Sequence, residues 1–560
     1  MKDLTKLNRR RWAVQLALTT GLALLFITAL LCGLLGVTPA RANPGTLYVD
    51  GASGSDDSDC RNPAAPCATI SYALPQAGNG DEIRVAEGTY TETLDIHRAV
   101  TLKGGYEATG WTRDIAAHPT IMDADGADSP VFTIFPESNV IVEGFTVQGA
   151  NNISDWGGGF VIDGATVVIS DTVVRDNCTG GCGGGAFIGN SVGAENVKVS
   201  LINSTFVGNV ADSCAAGLMV GGGDPFQVTI ENTVFTGNAG SDVLNLEQTF
   251  EMVGGQVSSN TVTAGGNAIE ISGSGTISGT GIMSNTSRAM GIGPDSVVSA
   301  HNLTVRGNTG GGIENGGVLT LTNSIIENNS GGWAVVASGW ESETNLMMDG
   351  CTIRGNDTDS TVVIATGYAE IHDTKIVDNE TAGPAGVAIV MIGEAGFTPT
   401  VEMVNVLVAD NETQGAPIVY NVAGFAMLMN VTLAGNVNGD APIIWADGVM
   451  TMTNTILWGN TTSAENMITG PGILSASYSD IEGGWTGGAG NIDADPKFVG
   501  PANGDYRLGV GSPCIDKGTS AGAPTHDIEG TPRDAAPDMG PYEWTGFRIF
   551  LPLTLRNFGP

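Results

Sequence analysis

Five side chains in two neighbouring stretches have the types needed for acid–base chemistry. Arg354, Asp357 and Asp359 lie in CTIRGNDTDS, and Lys375 and Asp378 follow in EIHDTKIVDN, with His372 beside them. Paired carboxylates can divide proton donation and acceptance between them, and a neighbouring cation can hold an anion or accept a proton. If the two stretches stack, Arg354 and Lys375 come close, with acidic neighbours. The favoured reading is plainer: solvated surface pairs, because Arg175, Arg306 and Arg354 each stand two residues before a repeated Asn, at a tolerated outward position. A second group is Asp155, Asp163, Asp171 and Asp176, around the run DWGGG at 155–159. Carboxylates on a glycine-rich edge could supply the oxygen ligands of calcium. Solvated turn residues are again the favoured reading. Cys178, Cys182 and Cys214 could in principle hold a metal, but their spacing and the lack of a nearby His argue against it. The five His residues pair with no Ser or Cys motif, and the glycine runs have no phosphate-binding context.

The elements that must position these residues come from a returning phrase. It reads SDTVVRDN at 170–177, ENTVFTGN at 231–238, HNLTVRGN at 301–308 and TNTILWGN at 453–460, with relatives between them. Asn or Asp is followed six residues later by Asn, and Gly254, Gly279 and Gly350 replace the first polar residue in weaker copies. The repeated Asn residues are Asn177, Asn209, Asn238, Asn260, Asn285, Asn308, Asn329, Asn356, Asn379, Asn411, Asn436 and Asn460, so the mean period is about 26 residues. Each phrase alternates apolar and polar residues, which predicts short strands rather than helices. Such a period suits a coil of three short strands, with coils stacked into parallel sheets around one core. The repeated Asn is expected to form an internal ladder, its amide donating and accepting between coils while tolerating a left-handed turn.

On these repeats the chain resembles a right-handed parallel β-helix of the pectin-lyase-like superfamily, of the bacterial surface type. The fold this implies is all-β: a single-stranded solenoid of about 13 coils with an N-terminal cap. The opening at 45–106 (GTLYVDGASGSDDSDC, PCATISYAL, GDEIRVAEGTYTETLDI, VTLKGGY) resembles the start of secreted β-helix proteins, with a short helix near Ile70–Ala77. The end (DADPKFVGPANGDYRLGVGSPCIDKG, PDMGPYEW) resembles a closing module with a variable anchor. By that resemblance Asp516, Asp527, Asp538 and Glu543 would tie loops across the end of the stack. Lyases of this superfamily use calcium with an Arg or Lys base, and its hydrolases use clustered Asp. The superfamily also hosts adhesins and structural rods, so the resemblance implies fold more than activity.

The expected organisation is a signal segment at 1–42, a cap with first coils at 43–139, repeats at 140–485, the closing module at 486–545 and an apolar tail at 546–560. Basic residues, an apolar run at 12–37 and Ala40-Arg41-Ala42 predict export with cleavage near Asn43, the alternative being an uncleaved membrane anchor. Without residues 1–42 the 23 basic residues fall by six and the 59 acidic by one, so the formal charge becomes −41. That excludes a phosphate-binding stripe and hence nucleic acid. Cys60 and Cys67 are a candidate disulfide, which export permits, and seven mature cysteines leave one odd. The later aromatics Trp333, Trp340, Tyr368, Phe397, Tyr420, Phe425, Trp445, Trp458 and Trp485 could stack on sugar rings, although core packing is the favoured reading. The function expected is an exported cell-surface or extracellular structural or adhesion protein, with carbohydrate as its candidate contact. A polysaccharide lyase or glycoside hydrolase is the alternative. No cofactor is required, calcium is the candidate ion, and the partner is an extracellular polysaccharide or surface protein.

Overall fold

The computed structural model describes residues 44–546 apart from 154, 264, 338–344, 360, 382–388 and 394–398. The expected signal segment, the apolar tail, Trp340 and Phe397 lie outside the described residues. Each coil contributes a strand to each of three long parallel sheets. Thr166–Ser170 belongs to the first sheet, Val173–Arg175 to the second and Ala186–Asn190 to the third. These sheets hold 17, 16 and 15 strands among the described residues. Two-residue strands such as Cys178–Thr179 bridge the second and third sheets in some coils.

Fourteen strands of the first sheet lie from Asn139–Glu143 onward, the 17 less Thr46–Val49, Asp81–Ala86 and Val100–Tyr106. The solenoid therefore has about 14 turns rather than about 13, because coils lacking the repeated Asn flank the ladder at both ends. The helix Ile70–Gln76 is capped by Thr69, whose side chain accepts from the backbone N–H of Tyr72. It packs Ile70, Ala73 and Leu74 onto the first coil, so it belongs to the same core as the strands. That core runs continuously from Leu47 to Ile481. Identical rings stack from coil to coil within it: Phe132 on Phe160 and Phe206 on Phe235, each 4.9 Å apart, close to the spacing of neighbouring strands.

The turn between the first and second sheets explains the phrase. Its first polar residue has a left-handed backbone, as at Asp171 (φ 47°), Asn203 (φ 49°) and Asn302 (φ 52°). Only Asn, Asp and Gly take that conformation readily, which is why Gly254, Gly279 and Gly350 substitute there. The residue just before each ladder Asn is left-handed too, as at Asp176, Gly208 and Gly307. The ladder Asn itself is not, which corrects the expectation that it would adopt the left-handed conformation. Its task is hydrogen bonding. Asn308 Nδ2 donates to Asn329 Oδ1 at 2.9 Å and to the Ile282 carbonyl at 3.0 Å, while its own Oδ1 accepts from the backbone N–H of Asn285 at 3.0 Å. The pattern repeats from Asn177 to Asn460. A second ladder, of hydroxyls, runs beside it: Thr455 N–H donates to Ser479 Oγ, and Leu303 N–H to Ser324 Oγ. Cys351 stands in a hydroxyl position of that column, and its buried Sγ donates to the Leu321 carbonyl.

Residues 489–492 hydrogen-bond to the last coil: Ile492 pairs with Asp480, and the Asn491 amide accepts from the Ser479 N–H and donates to the Ala476 carbonyl. Beyond them the chain folds back along the outer face of the second sheet. Tyr506 and Tyr542 pack on Leu407, Ala409 and Ala434, while Leu508, Cys514 and Met539 pack on Ile456. Asn430 Nδ2 donates to the carbonyls of Asp538 and Gly540, and Asn454 Nδ2 to that of Thr519. The expected carboxylate ties are made inside this lateral module. Asp538 accepts from the N–H groups of Asp516 and Trp544, and Asp527 from those of Glu529, Thr531 and Glu543. Trp485 packs against the last turn of the core.

Candidate functional site

Alternation sends every second strand residue outward, so chemistry must sit on an outer face. On the second sheet Thr352 pairs in register with Lys375, and Arg354 with Val377. Arg354 and Lys375 are thus diagonal neighbours that turn apart. Arg354 reaches back one coil to Glu327, with Nη2 at 2.6 Å and Nε at 2.8 Å, and Arg306 approaches the same carboxylate at 3.6 Å. Lys375 lies under the lateral module, 3.9 Å from Glu529 and 5.7 Å from the centre of the Tyr542 ring. Asp357 pairs with Glu380 in a two-residue strand, Asp359 follows it on the surface, and Asp378 occupies a left-handed turn. These five residues do not converge on one cleft.

Nor do the four early aspartates. Asp163 ends a third-sheet strand, where its carboxylate accepts from Ser191 N–H at 2.7 Å and Oγ at 2.5 Å. Asp171 and Asp176 stand at different turns, and Asp155 accepts from the N–H of Trp156. Among the described residues no group of three or more His, Cys, Asp or Glu is arranged to hold a metal ion. Cys182 is disulfide-bonded to Cys214, as Cys60 is to Cys67, leaving Cys178, Cys351 and Cys514 as free thiols.

The arrangement with the most chemistry lies on the third sheet and was not singled out from the sequence. The strands Asp242–Leu246, Asn267–Ile271, Arg288–Ile292 and Ile313–Asn315 stack there. One outward row runs Asn245, Glu270, Gly291, Glu314. A second column, at the strand starts, brings Asn267 level with Arg288 and beside Asp242. Asn267, only 7% exposed, ties the two together. Its backbone N–H donates to Asp242 at 2.8 Å, its Nδ2 to Glu270 at 2.6 Å, and its Oδ1 accepts from Arg288 at 3.3 Å. Arg288 also pairs with Glu314 and lies 6.0 Å from the centre of the Trp333 ring. Gly291 leaves the notch in which these groups meet: a Cβ there would fall 2.5 Å from both Asn267 Nδ2 and Glu270 Oε2.

Burial raises the pKa of Asp242, against the pull of the Asn267 N–H. Burial likewise raises Glu270; the Asn267 amide opposes this, and the nearby Asp242 and Glu314 charges add to it. Both carboxyls therefore hold a proton more readily than a free side chain does. Asn245 Oδ1 and Arg288 Nε are buried without a hydrogen-bond partner among the described residues. The notch thus offers hydroxyl-binding acceptors, one guanidinium, a partnerless amide oxygen and an aromatic ring. The sequence signal was available in DVLNL, NAIEI and RAMGI, where polar residues interrupt strands otherwise built to be buried.

Among the described residues none of the later aromatics is fully buried, although Trp485 packs on the main core and Trp458 on a smaller buried cluster. Tyr368 and Phe425 are exposed on the first sheet, and Trp333, Tyr420, Trp445, Trp458 and Trp485 are half-buried. Trp458 packs beside the lateral module. Tyr420 and Trp445 pair in register on the outer face of the third sheet.

Residues 52–296 match the family described as Protein of unknown function (DUF1565). No curated protein matches the chain by sequence. Among solved structures, a pectate lyase aligns at 12% identity and TM-score 0.31 over 90% of this chain and 97% of its own. The A-module of a mannuronan C-5 epimerase from Azotobacter vinelandii aligns at 15% and 0.33 over 80% and 97%. A surface adhesin of Streptococcus pneumoniae aligns at 12% and 0.23 over 73% and 87%. With its three long parallel sheets and its internal ladders, the chain is an all-β parallel β-solenoid.

Proposed function

We propose that this chain is an exported protein of the bacterial surface or its surroundings, with a structural or adhesive role, and that it contacts extracellular polysaccharide through the outer face of its third sheet. The observation that carries this reading is the notch at Asn267, where Asp242, Glu270, Arg288, Glu314 and Trp333 meet on an outward face. Carboxylates and amides that accept from hydroxyls, beside an aromatic ring, are the groups a sugar chain requires. Two disulfides and a strongly acidic surface agree with an oxidising exterior. One observation favours a second reading, cleavage of the polymer: the raised proton affinities of Asp242 and Glu270 beside a guanidinium suit an acid–base pair. Calcium is not required by either reading.

The test is retention of the full chain on immobilised polysaccharides, with and without calcium, reading binding and chain scission together. Retention without scission, lost in Glu314→Gln, is expected. Scission abolished by Glu270→Gln would replace binding with catalysis as the role. Absence of both would leave a scaffold whose partner is a protein.

A further inference from the structure

The notch at Asn267 sets three carboxylates, of Asp242, Glu270 and Glu314, against the one guanidinium of Arg288. That guanidinium is committed to Glu314, and the two side chains remain 25% and 32% exposed. Asp242 and Glu270 are held by neutral donors instead, the backbone N–H of Asn267 at 2.8 Å and its Nδ2 at 2.6 Å. Glu270 registers the imbalance: the nearby Asp242 and Glu314 charges each outweigh the opposing pull of Arg288. Asn245 stands in register with Glu270, and its buried Oδ1 has no donor among the described residues. The notch is therefore rich in acceptors and short of positive charge. Its spacing does not suit a metal ion, which needs oxygens converging on one point. No group of three or more His, Cys, Asp or Glu is so arranged among the described residues. An ammonium group asks for something else. It brings one positive charge and three N–H donors with no acceptor, and it donates outward to acceptors that stand apart.

We infer that the notch takes the ammonium group of an amine-bearing glycan, a chain that carries unacetylated amino sugars. This rests on the glycan reading of the notch and names the class of chain. The ammonium offsets the charges of Asp242 and Glu270 and brings the N–H donors that Asn245 Oδ1 lacks. Both carboxylates are half-buried, so neutralising them is worth more than it would be in open solvent. Beside them the Trp333 ring, 6.0 Å from the Arg288 guanidinium, offers a flat surface for the C–H face of a sugar ring. A neutral sugar leaves the two carboxylates as charged as they were, and a polyuronate adds like charge, which is repulsive across an interface. A cationic peptide matches the charge but brings no sugar ring for Trp333. With 59 acidic residues against 23 basic ones the whole chain attracts polycations, so a preference for amines counts only where it depends on the notch.

The experiment is calorimetric titration of the full chain, at physiological salt, with a glucosamine hexamer, its fully N-acetylated form, a galacturonate hexamer and a lysine hexamer. The glucosamine hexamer is expected to bind at least about tenfold more tightly than the N-acetylated one, a ratio that one desolvated charge pair supports. Glu270→Gln and Asp242→Asn keep an acceptor for the Asn267 donors but remove the charge. Each should abolish most of that ratio and leave the affinity for the N-acetylated hexamer unchanged, with circular dichroism and melting as in the parent. Glu251→Gln removes the same charge from an exposed position on the first sheet and should leave the ratio as it was. Equal or tighter binding of the N-acetylated or galacturonate hexamer overturns this inference while leaving glycan binding intact. So does a ratio that falls as far in Glu251→Gln as in Glu270→Gln, because the attraction is then general. Binding of the lysine hexamer alone replaces the glycan with a cationic peptide, and binding of none of the four removes the glycan reading; either result overturns this inference too.

Discussion

The outer faces of the second and third sheets are built by the same repeat, yet they end in opposite states. On the second sheet the polypeptide covers itself. Lys375, Leu407, Ala434 and Ile456 lie beneath the lateral module, and Arg354 is spent on Glu327. On the third sheet, Asn267 gathers two carboxyls and the Arg288 guanidinium, which holds a third, around the gap left by Gly291, and no described segment folds over them as the module does over the second sheet. Charged residues on a solenoid are therefore not a site in themselves. What matters is whether their partners satisfy them within the coil stack or leave groups for a ligand.

The largest effect should come from breaking the covered face. Arg533 and Glu543 form a pair with side chains only 2% and 4% exposed, and Arg533 also donates to Asn405 on the solenoid. Arg533→Ala leaves a buried carboxylate unpaired and should cost about 3–5 kcal/mol. Thermal unfolding should then show an early transition in which the module detaches, and a single unchanged transition would contradict it. Next comes the ladder beneath both faces. Asn308→Ala removes the acceptor of Asn285 and should cost about 1–3 kcal/mol in chemical denaturation.

A smaller effect is pH-dependent and again specific to the covered face. Burial raises Asp480 to about 6, from 3.8, where it meets Cys514 Sγ at 3.0 Å near Asp493 and Asp495. Asp538, also buried, is raised to about 7. A carboxyl with a raised folded pKa binds more protons folded than unfolded. Its stabilising contribution is complete below its unfolded value and is lost as pH rises through its folded value. Docking of the module should weaken from about pH 4 to about pH 7, and Asp480→Asn should flatten the part of that loss centred near 6. Limited proteolysis across the range measures it; equal slopes for the two proteins would refute the assignment.

The smallest stability changes should sharpen the contrast most. Gly291→Ala pushes only against the ends of the Asn267 and Glu270 side chains, so melting should move little while polysaccharide retention is lost. Arg354→Ala breaks the pair with Glu327, whose side chain is only 10% exposed, while Arg306 stays 3.6 Å from that carboxylate, and it should leave retention unchanged. If Arg354→Ala abolished retention and Gly291→Ala did not, the two faces would have been assigned the wrong way round.

The period, the strand alternation and the Asn column were legible in the sequence because they are local and repeat. Each coil must turn through the same left-handed residue and bury the same amide, so twelve Asn residues recur at the same place in their phrase. The placement of the module was not legible. Asn405, Asn430 and Asn454 look like any other first residue of the phrase, yet their side chains hold residues 526, 538 and 519, more than sixty positions away. The notch was hidden for a related reason. Four residues lead from Asn238 to Asp242, seven from Asn260 to Asn267 and three from Asn285 to Arg288. Turns of unequal length destroy any fixed spacing along the chain, and only the hydrogen-bonded register of the stacked strands brings those three side chains to one corner. The sequence by itself determined the coil, because backbone sterics and buried amides act within a single repeat. Which outer face the returning segment covers was decided by tertiary structure, because that depends on contacts between repeats and on a segment that returns from the far end of the chain.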